Sequence, residues 1–134
     1  MANPDRPNGF KPASPIMCPR PYKVLAGNGT KIFKGDMMDA INDGSVGPAV
    51  AGSVDHLGST DDVLAVSTAG SVVVYDDPDQ DYIAQDDGSG TPLRTDIFLN
   101  ANHVAGTGNS NTNMSGHEIA LSTAITGAAG FTLL

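Results

Sequence analysis

Three aspartates at alternate positions are the most distinctive candidate chemistry in this 134-residue chain. Asp77, Asp79 and Asp81 have the D-x-D-x-D spacing that opens an EF-hand loop, in which alternating oxygens wrap a hard cation. The rest of that motif is missing, because Tyr82 occupies the glycine position and Gly88 occupies the position of the bidentate glutamate. A calcium site of another kind stays open, as does a simple turn after a strand. The calcium interpretation predicts a melting temperature that rises with Ca²⁺ and no longer does so in Asp79→Ala.

Residue patterns typical of catalysis are missing from the sequence. His56, His103 and His117 lie far apart and form no H-E-x-x-H pair, and no G-x-S-x-G surrounds a serine. The Gly-Thr-Gly at 106–108 lacks the further residues of a dinucleotide or phosphate loop. The single Cys18 can form neither an intrachain disulfide nor a cysteine-based zinc site. We therefore predict a non-enzymatic protein with no cofactor.

Charge is unevenly distributed along the chain. Six of the seven basic residues lie in the first 34 positions beside a single acid, whereas Arg94 alone accompanies fourteen acids in the remainder. So acidic a body repels a phosphate backbone, which argues against nucleic acid as a partner. The basic segment is expected to dock on an acidic protein surface. With no secretion signal and no apolar stretch long enough to span a bilayer, the sequence predicts a soluble protein made in a reducing cytoplasm.

Six of the nine prolines fall within the first 21 residues. Proline fixes φ and removes a hydrogen-bond donor, so this stretch is predicted to be an extended arm over 1–21, attached to a compact domain over 22–134. Its apolar and basic side chains are expected to contact the protein surface on which the arm docks, either a partner or a neighbouring subunit. The residues predicted to make this contact are Pro7, Phe10, Lys11, Ile16 and Met17. Deletion of 1–20 is then expected to leave a folded domain that no longer binds its partner.

Short apolar runs between turn residues dominate positions 22–134. The run at 71–75 is the clearest strand, and the Gly-Asn-Gly at 27–29 predicts a tight turn or a hairpin between 22–25 and 30–33. One short helix is predicted over 95–104. The fold class is therefore mainly β, a small barrel or sandwich with a proline-rich arm and at most one short helix. Because the chain has only four Phe, three Tyr and no Trp, its core is expected to be marginal and oligomerisation to supply stability.

Several segments together resemble the small head decoration, or cement, proteins of tailed phages. The segments are MANPDRPNGFKP at 1–12, KIFKGD at 31–36, SVVVYDDPDQ at 71–80 with Gln85 and Asp87-Gly88 following, DI…NAN at 96–102 and AGTG at 105–108. The resemblance implies a β-rich homotrimer on the outer surface of the virion capsid. It would bind the major capsid protein at threefold and quasi-threefold sites of the head and stabilise the shell. The chain departs from such proteins by stopping at Leu134 on an apolar run, where they are expected to continue with another β segment.

Three alternatives to a decoration protein stay open. The first is another phage structural component, such as a head-fibre or tail protein. The second is a calcium- or glycan-binding β domain that uses the 77–87 region. The third is a small trimeric β enzyme such as a nucleotide hydrolase, although its motifs are missing.

Overall fold

The chain folds into short antiparallel strands joined by turns. The computed structural model describes residues 7–15, 18–53, 55–125 and 131–134. Within these ranges the strands are β1 (Lys11–Pro12), β2 (Pro19–Val24), β3 (Met37–Ala40), β4 (Val46–Pro48), β5 (His56–Ser59), β6 (Gly70–Tyr75), β7 (Tyr82–Ile83), β8 (Asn100–Val104), β9 (Glu118–Ile125) and β10 (Phe131–Thr132). The same ranges contain one 3₁₀ turn, Arg94–Asp96. The predicted mainly-β fold class is confirmed.

The strands associate in four small sheets, with the orders β1–β7, β2–β6, β4–β3–β5 and β10–β8–β9. All of these strand pairs are antiparallel. In the described residues the sheets do not close into a barrel, and the arrangement is sandwich-like. Across the same residues, no helix has the length and apolar character needed to cross a membrane.

Strand β3 lies between two separate apolar cores. Successive side chains of a strand point to opposite faces, so the adjacent Met37 and Met38 enter different cores although both are fully buried. Met38 packs in the larger core, which the β2–β6 sheet covers: Val24, Ile32, Met38, Val46, Val72 and Val74. Met37 packs with Phe10 and Ala49 in a smaller core lined by residues of β7, β9 and β10. The β4–β3–β5 sheet is thus the middle layer of the domain.

The N-terminal segment is part of the folded domain. Strand β2 pairs with β6 over six residues, with Pro21 opposite Val73. The amide of Val73 donates instead to Asp62 Oδ2 (2.6 Å), and its carbonyl accepts from Thr60 Oγ1 (2.7 Å). Pro21 therefore faces a residue whose backbone groups are already bonded, and its missing N–H costs no ladder hydrogen bond. This differs from the predicted separate arm, because a proline-rich segment can serve as an edge strand.

The hairpin predicted around Gly-Asn-Gly does not form. The turn itself is present, since the amide of Asn28 donates to the carbonyl of Leu25 at 3.1 Å. After the turn, however, Ile32 exchanges backbone hydrogen bonds with Leu64, at 2.9 and 3.1 Å, and not with β2. The local signal fixes the reversal of the chain, while burial of Val24 in the larger core selects β6 as the partner of β2.

The helix predicted over 95–104 is also wrong. Its first part is the 3₁₀ turn, and its second part is strand β8. Ala101 and His103 are buried while the residues between and beside them are half-buried, which is the two-residue period of a strand. Burial at this period outweighs the weak helix signals of the segment.

Candidate functional site

The acidic run forms a turn between β6 and β7. Asp77 Oδ1 accepts a hydrogen bond from the Asp79 amide (2.8 Å), and the Asp77 carbonyl accepts one from the Gln80 amide (3.0 Å). The buried Gln80 donates through Nε2 to Ser14 Oγ (2.8 Å), which ties the turn to the N-terminal segment. In the part of the chain that the structure describes, no three His, Cys, Asp or Glu side chains are placed to hold a metal ion. Asp77, Asp79 and Asp81 are thus neighbours in a turn but not a ligand set.

One acid of this run pairs with the basic segment of the same chain. Asp76 Oδ2 lies 3.6 Å from Arg20 Nη1 and accepts a hydrogen bond from the Tyr22 hydroxyl. That hydrogen bond raises the pKa of Tyr22, with burial adding to the effect. The charge complementarity read from the sequence therefore operates within one chain, where it supports the β2–β6 pairing.

The residues predicted to contact a partner have different environments. Phe10 is 1% exposed in the smaller core, where its ring stacks on Phe131 with centroids 4.7 Å apart. It is a core residue of its own chain, so the predicted capsid contact does not hold for Phe10. Lys11 is exposed on β1, and Pro7 is half-buried. Ile16 and Met17 lie outside the described residues.

The three histidines, far apart in sequence, come together beside the smaller core. The rings of His103 and His117 have centroids 4.6 Å apart, and those of His56 and His103 are 5.2 Å apart. Strand β5 supplies His56, strand β8 supplies His103, and the residue before β9 supplies His117. Together with Asp36 and Asp39 they form a polar group between the middle sheet and the β10–β8–β9 sheet. We refer to these five residues as the histidine cluster.

Hydrogen bonds join the rings of the cluster to one another, to Asp36 and to the backbone. His117 Nδ1 accepts from the backbone amide of Met37 (3.2 Å), so its proton is on Nε2, which points at Asp36 Oδ1 (3.4 Å). His103 Nε2 lies 2.9 Å from the same His117 Nδ1. His103 Nδ1 lies 3.2 Å from the carbonyl of Val50, which accepts a hydrogen bond from it when Nδ1 carries the proton.

The second aspartate of the cluster holds His56. Asp39 Oδ1 lies 2.7 Å from His56 Nδ1, and the opposite ring nitrogen, Nε2, is buried without a hydrogen-bond partner in the described residues. Burial acts to raise the pKa of Asp39, but hydrogen bonds from His56 and Ser53 outweigh it and lower the pKa. The histidine rings thus bond to aspartates, to each other and to backbone groups. This is the arrangement of a structural network and contains no nucleophile paired with a base.

Acid is expected to destabilise the fold through this cluster. Burial lowers the pKa of His103 and of His117 to about 4, so below pH 6.5 the unfolded chain binds more protons than the folded one. Each histidine then costs up to about 3 kcal/mol as the pH falls towards 4. Burial raises the pKa of Asp36 to about 6, which stabilises the folded state at low pH and offsets about 3 kcal/mol of this loss. A net loss of about 3 kcal/mol between pH 6.5 and 4 is expected from urea unfolding.

The variant His103→Phe tests the source of this pH dependence. It removes one titrating ring while keeping an aromatic side chain in the smaller core, so the stability lost between pH 6.5 and 4 should fall to near zero. Urea unfolding of the wild type and the variant across that range measures the difference. A variant with the wild-type pH dependence would contradict the assignment to the histidine cluster.

An exposed apolar surface lies at the turn before β8. It consists of Leu93, Ile97 and Phe98, and we refer to it as the Phe98 surface. The Phe98 side chain is 76% exposed although it is the largest apolar group of the turn. Its backbone has φ +69°, a left-handed conformation that costs a non-glycine residue about 1–2 kcal/mol. An exposed aromatic held in a strained backbone is typical of a contact site.

The hydrogen bonds of the turn hold Phe98 outward. Asp96 Oδ2 accepts from the Leu93 amide (2.8 Å), and the Asp96 carbonyl accepts from the Leu99 amide (3.0 Å). The Phe98 amide donates to the carbonyl of Leu133 (2.8 Å), which anchors the turn to the chain after β10. The surface is consequently preorganised. Its one sequence signal is the apolar 97–98 pair, which falls within the helix predicted over 95–104.

A groove of about 860 Å³ adjoins the Phe98 surface. Its apolar lining includes Phe10, Met37 and Phe131 of the smaller core. Leu133 also lines it, and the carbonyl of Leu133 accepts the hydrogen bond from the Phe98 amide. The acids that line it are Asp77, Asp79, Asp81 and Asp86. The groove thus combines an apolar floor with an acidic rim, a combination suited to a ligand that is apolar and positively charged.

Comparison with known proteins adds no assignment to this geometry. No protein-family model, no curated protein and no solved structure matches the chain.

Proposed function

We propose that this chain is a structural virion protein that binds the outer surface of a tailed-phage head and stabilises it. It acts as a homotrimer at threefold and quasi-threefold sites, with the major capsid protein as its partner, and has no catalytic role. The proposal joins the sequence resemblance to one structural observation, the preorganised Phe98 surface. An exposed aromatic side chain held rigidly in this way favours contact with another protein.

The Phe98 surface costs free energy in an isolated chain. Exposing Phe98 forgoes roughly 2 kcal/mol of apolar burial, and its backbone conformation costs about 1–2 kcal/mol more. Aromatic anchors held rigidly in this way dominate the energy of protein contacts, because little conformational entropy is lost when they bind. A protein that assembles recovers both free-energy costs when the Phe98 surface is buried in an interface. The side chains of the histidine cluster are largely buried.

Capsid attachment follows from the trimer. Three copies held together present three weak capsid contacts at high effective concentration, which raises overall affinity by about 10²- to 10⁴-fold over one copy. Lys11, exposed on β1, stays a predicted capsid contact, together with Pro7, Ile16 and Met17. The contact that holds the trimer and the contact that binds the shell are separate in this scheme.

Replacing Phe98 with asparagine is expected to weaken capsid binding by at least about 100-fold, because a chain without this anchor no longer binds as a trimer. Asparagine tolerates the left-handed backbone, so the turn should keep its shape while the apolar anchor is lost. Co-sedimentation with phage heads stripped of the protein measures the binding. Val66→Asn is the matched control, because Val66 is 51% exposed but lies outside the Phe98 surface. Equal binding by the wild type and Phe98→Asn would contradict the proposal.

A further inference from the structure

We propose that the Phe98 surface of one copy docks into the groove of the neighbouring copy, so that one repeated head-to-tail contact closes the chain into a ring. The inference rests on the proposed function and deepens it, because it names a second copy of this chain as the partner of the Phe98 surface.

The apolar parts of the two surfaces match. Phe98 and Ile97 project from the turn, at 76% and 44% exposure. The groove offers Ile83, which is 65% exposed, and the half-buried ring of Phe131. At about 860 Å³ the groove is in the size range of clefts that enclose a drug-sized ligand, so it can take both side chains. Aromatic contacts in such a cleft are favourable beyond the area that they bury.

The charges also match. Arg94 is the one basic residue beyond position 34, and it is exposed in the same turn as the Phe98 surface. The rim of the groove carries four aspartates. Copies with a net charge of -8 repel one another, so a contact that places this arginine on the acidic rim is favoured over other approaches. An acidic partner suits Arg94, and the body of a second copy is such a partner.

The two surfaces differ in shape, which sets the symmetry of the assembly. A projecting turn and a concave groove are not self-complementary, so the contact is heterologous and generates a ring if its rotation closes. Leu134 borders the groove, and its neighbour Leu133 bonds to the backbone of Phe98. The Phe98 surface and the groove therefore lie next to each other on the molecule. A ring of few copies requires this, because each copy meets both neighbours close to the axis.

A mixing experiment tests the contact with two variants that are each defective in one half. Phe98→Asn removes the projecting anchor, and Ile83→Lys places a positive charge at the groove, which Ile83 lines at 65% exposure. Each variant alone is expected to be a monomer by sedimentation velocity. A 1:1 mixture retains one intact contact, the Phe98 surface of Ile83→Lys in the groove of Phe98→Asn, and is expected to form a dimer. The wild type and Val66→Asn are expected to be trimers.

The results that would overturn the inference are equally specific. A monomeric wild type, a trimer that persists in either variant, or a mixture that stays monomeric would each exclude the head-to-tail contact. Formation of the mixed dimer shows by itself that both variants are folded. A trimer that fails to bind phage heads would count against the proposed function and leave the ring contact standing. A monomeric chain that binds heads as tightly as expected for the trimer would exclude the ring contact and leave the binding to phage heads standing.

Discussion

A chain that lacks residues 1–20 is expected to be unfolded. The deletion removes Phe10, strand β1 and the first two residues of β2. Loss of a buried phenylalanine alone costs about 3–5 kcal/mol, against a total of about 5–15 kcal/mol for a typical domain. The lost pairing of β1 with β7 and the lost Arg20–Asp76 contact add to this cost. Near-ultraviolet circular dichroism and cooperative thermal unfolding measure the outcome.

Deletion of residues 1–6 is the control, because it leaves every strand of the described fold in place. It should retain the wild-type unfolding transition. The expectation for 1–20 reverses the one drawn from the sequence, in which the prolines marked a dispensable arm. A cooperatively folded chain without residues 1–20 would show that the segment is an arm after all, and that Phe10 is not needed in the smaller core.

Replacing Gly58 with alanine is expected to destabilise the domain by at least about 3 kcal/mol. A Cβ at this position would lie 1.8 Å from the carbonyl oxygen of Tyr75, so β5 and β6 must move apart. The same carbonyl accepts a hydrogen bond from the Tyr82 hydroxyl (2.8 Å), which the movement would disturb. Backbone atoms cannot yield as a flexible side chain does. Urea unfolding at neutral pH measures the change.

Gly27→Ala is the matched control for Gly58→Ala. A Cβ at Gly27 meets no atom within 4 Å, and its backbone is not left-handed. Alanine there should leave stability unchanged or raise it by about 0.4–1 kcal/mol, since it restricts the unfolded chain. Similar effects at the two positions would contradict the close approach of β5 to Tyr75.

The sequence predicted the local elements better than their partners. The strand at 71–75 and the turn at 27–29 exist, because β-branched runs and turn residues act within a few positions. Strand pairing depends on burial between distant segments. Thus β2 pairs with β6 across about fifty residues and not with the run that follows its own turn.

The prolines explain why the composition predicted a separate arm. Pro19 and Pro21 exclude a central strand, and that part of the reasoning holds. They do not exclude an edge strand, and β2 has no neighbour on its other side among the described sheets. The remaining signal, Phe10 among polar residues, was assigned to a partner contact, although a second core in the same chain is what buries it.

The histidine cluster could not be foreseen from spacing. His56, His103 and His117 approach one another only because three separate strand regions meet at the smaller core. A faint signal was present in Asn-Ala-Asn-His-Val at 100–104, where His103 shares the buried face of a strand with Ala101. The alternation of buried and half-buried residues can be recognised only once the segment is assigned to a strand.

Cryo-electron microscopy of any particle that copurifies with the protein tests the central claim most directly. The account predicts density for three copies on the outer shell at each threefold and quasi-threefold position, with the turn that carries Phe98 at the contact between copies. Density on the tail, or a particle whose shell lacks the protein, would contradict the decoration role.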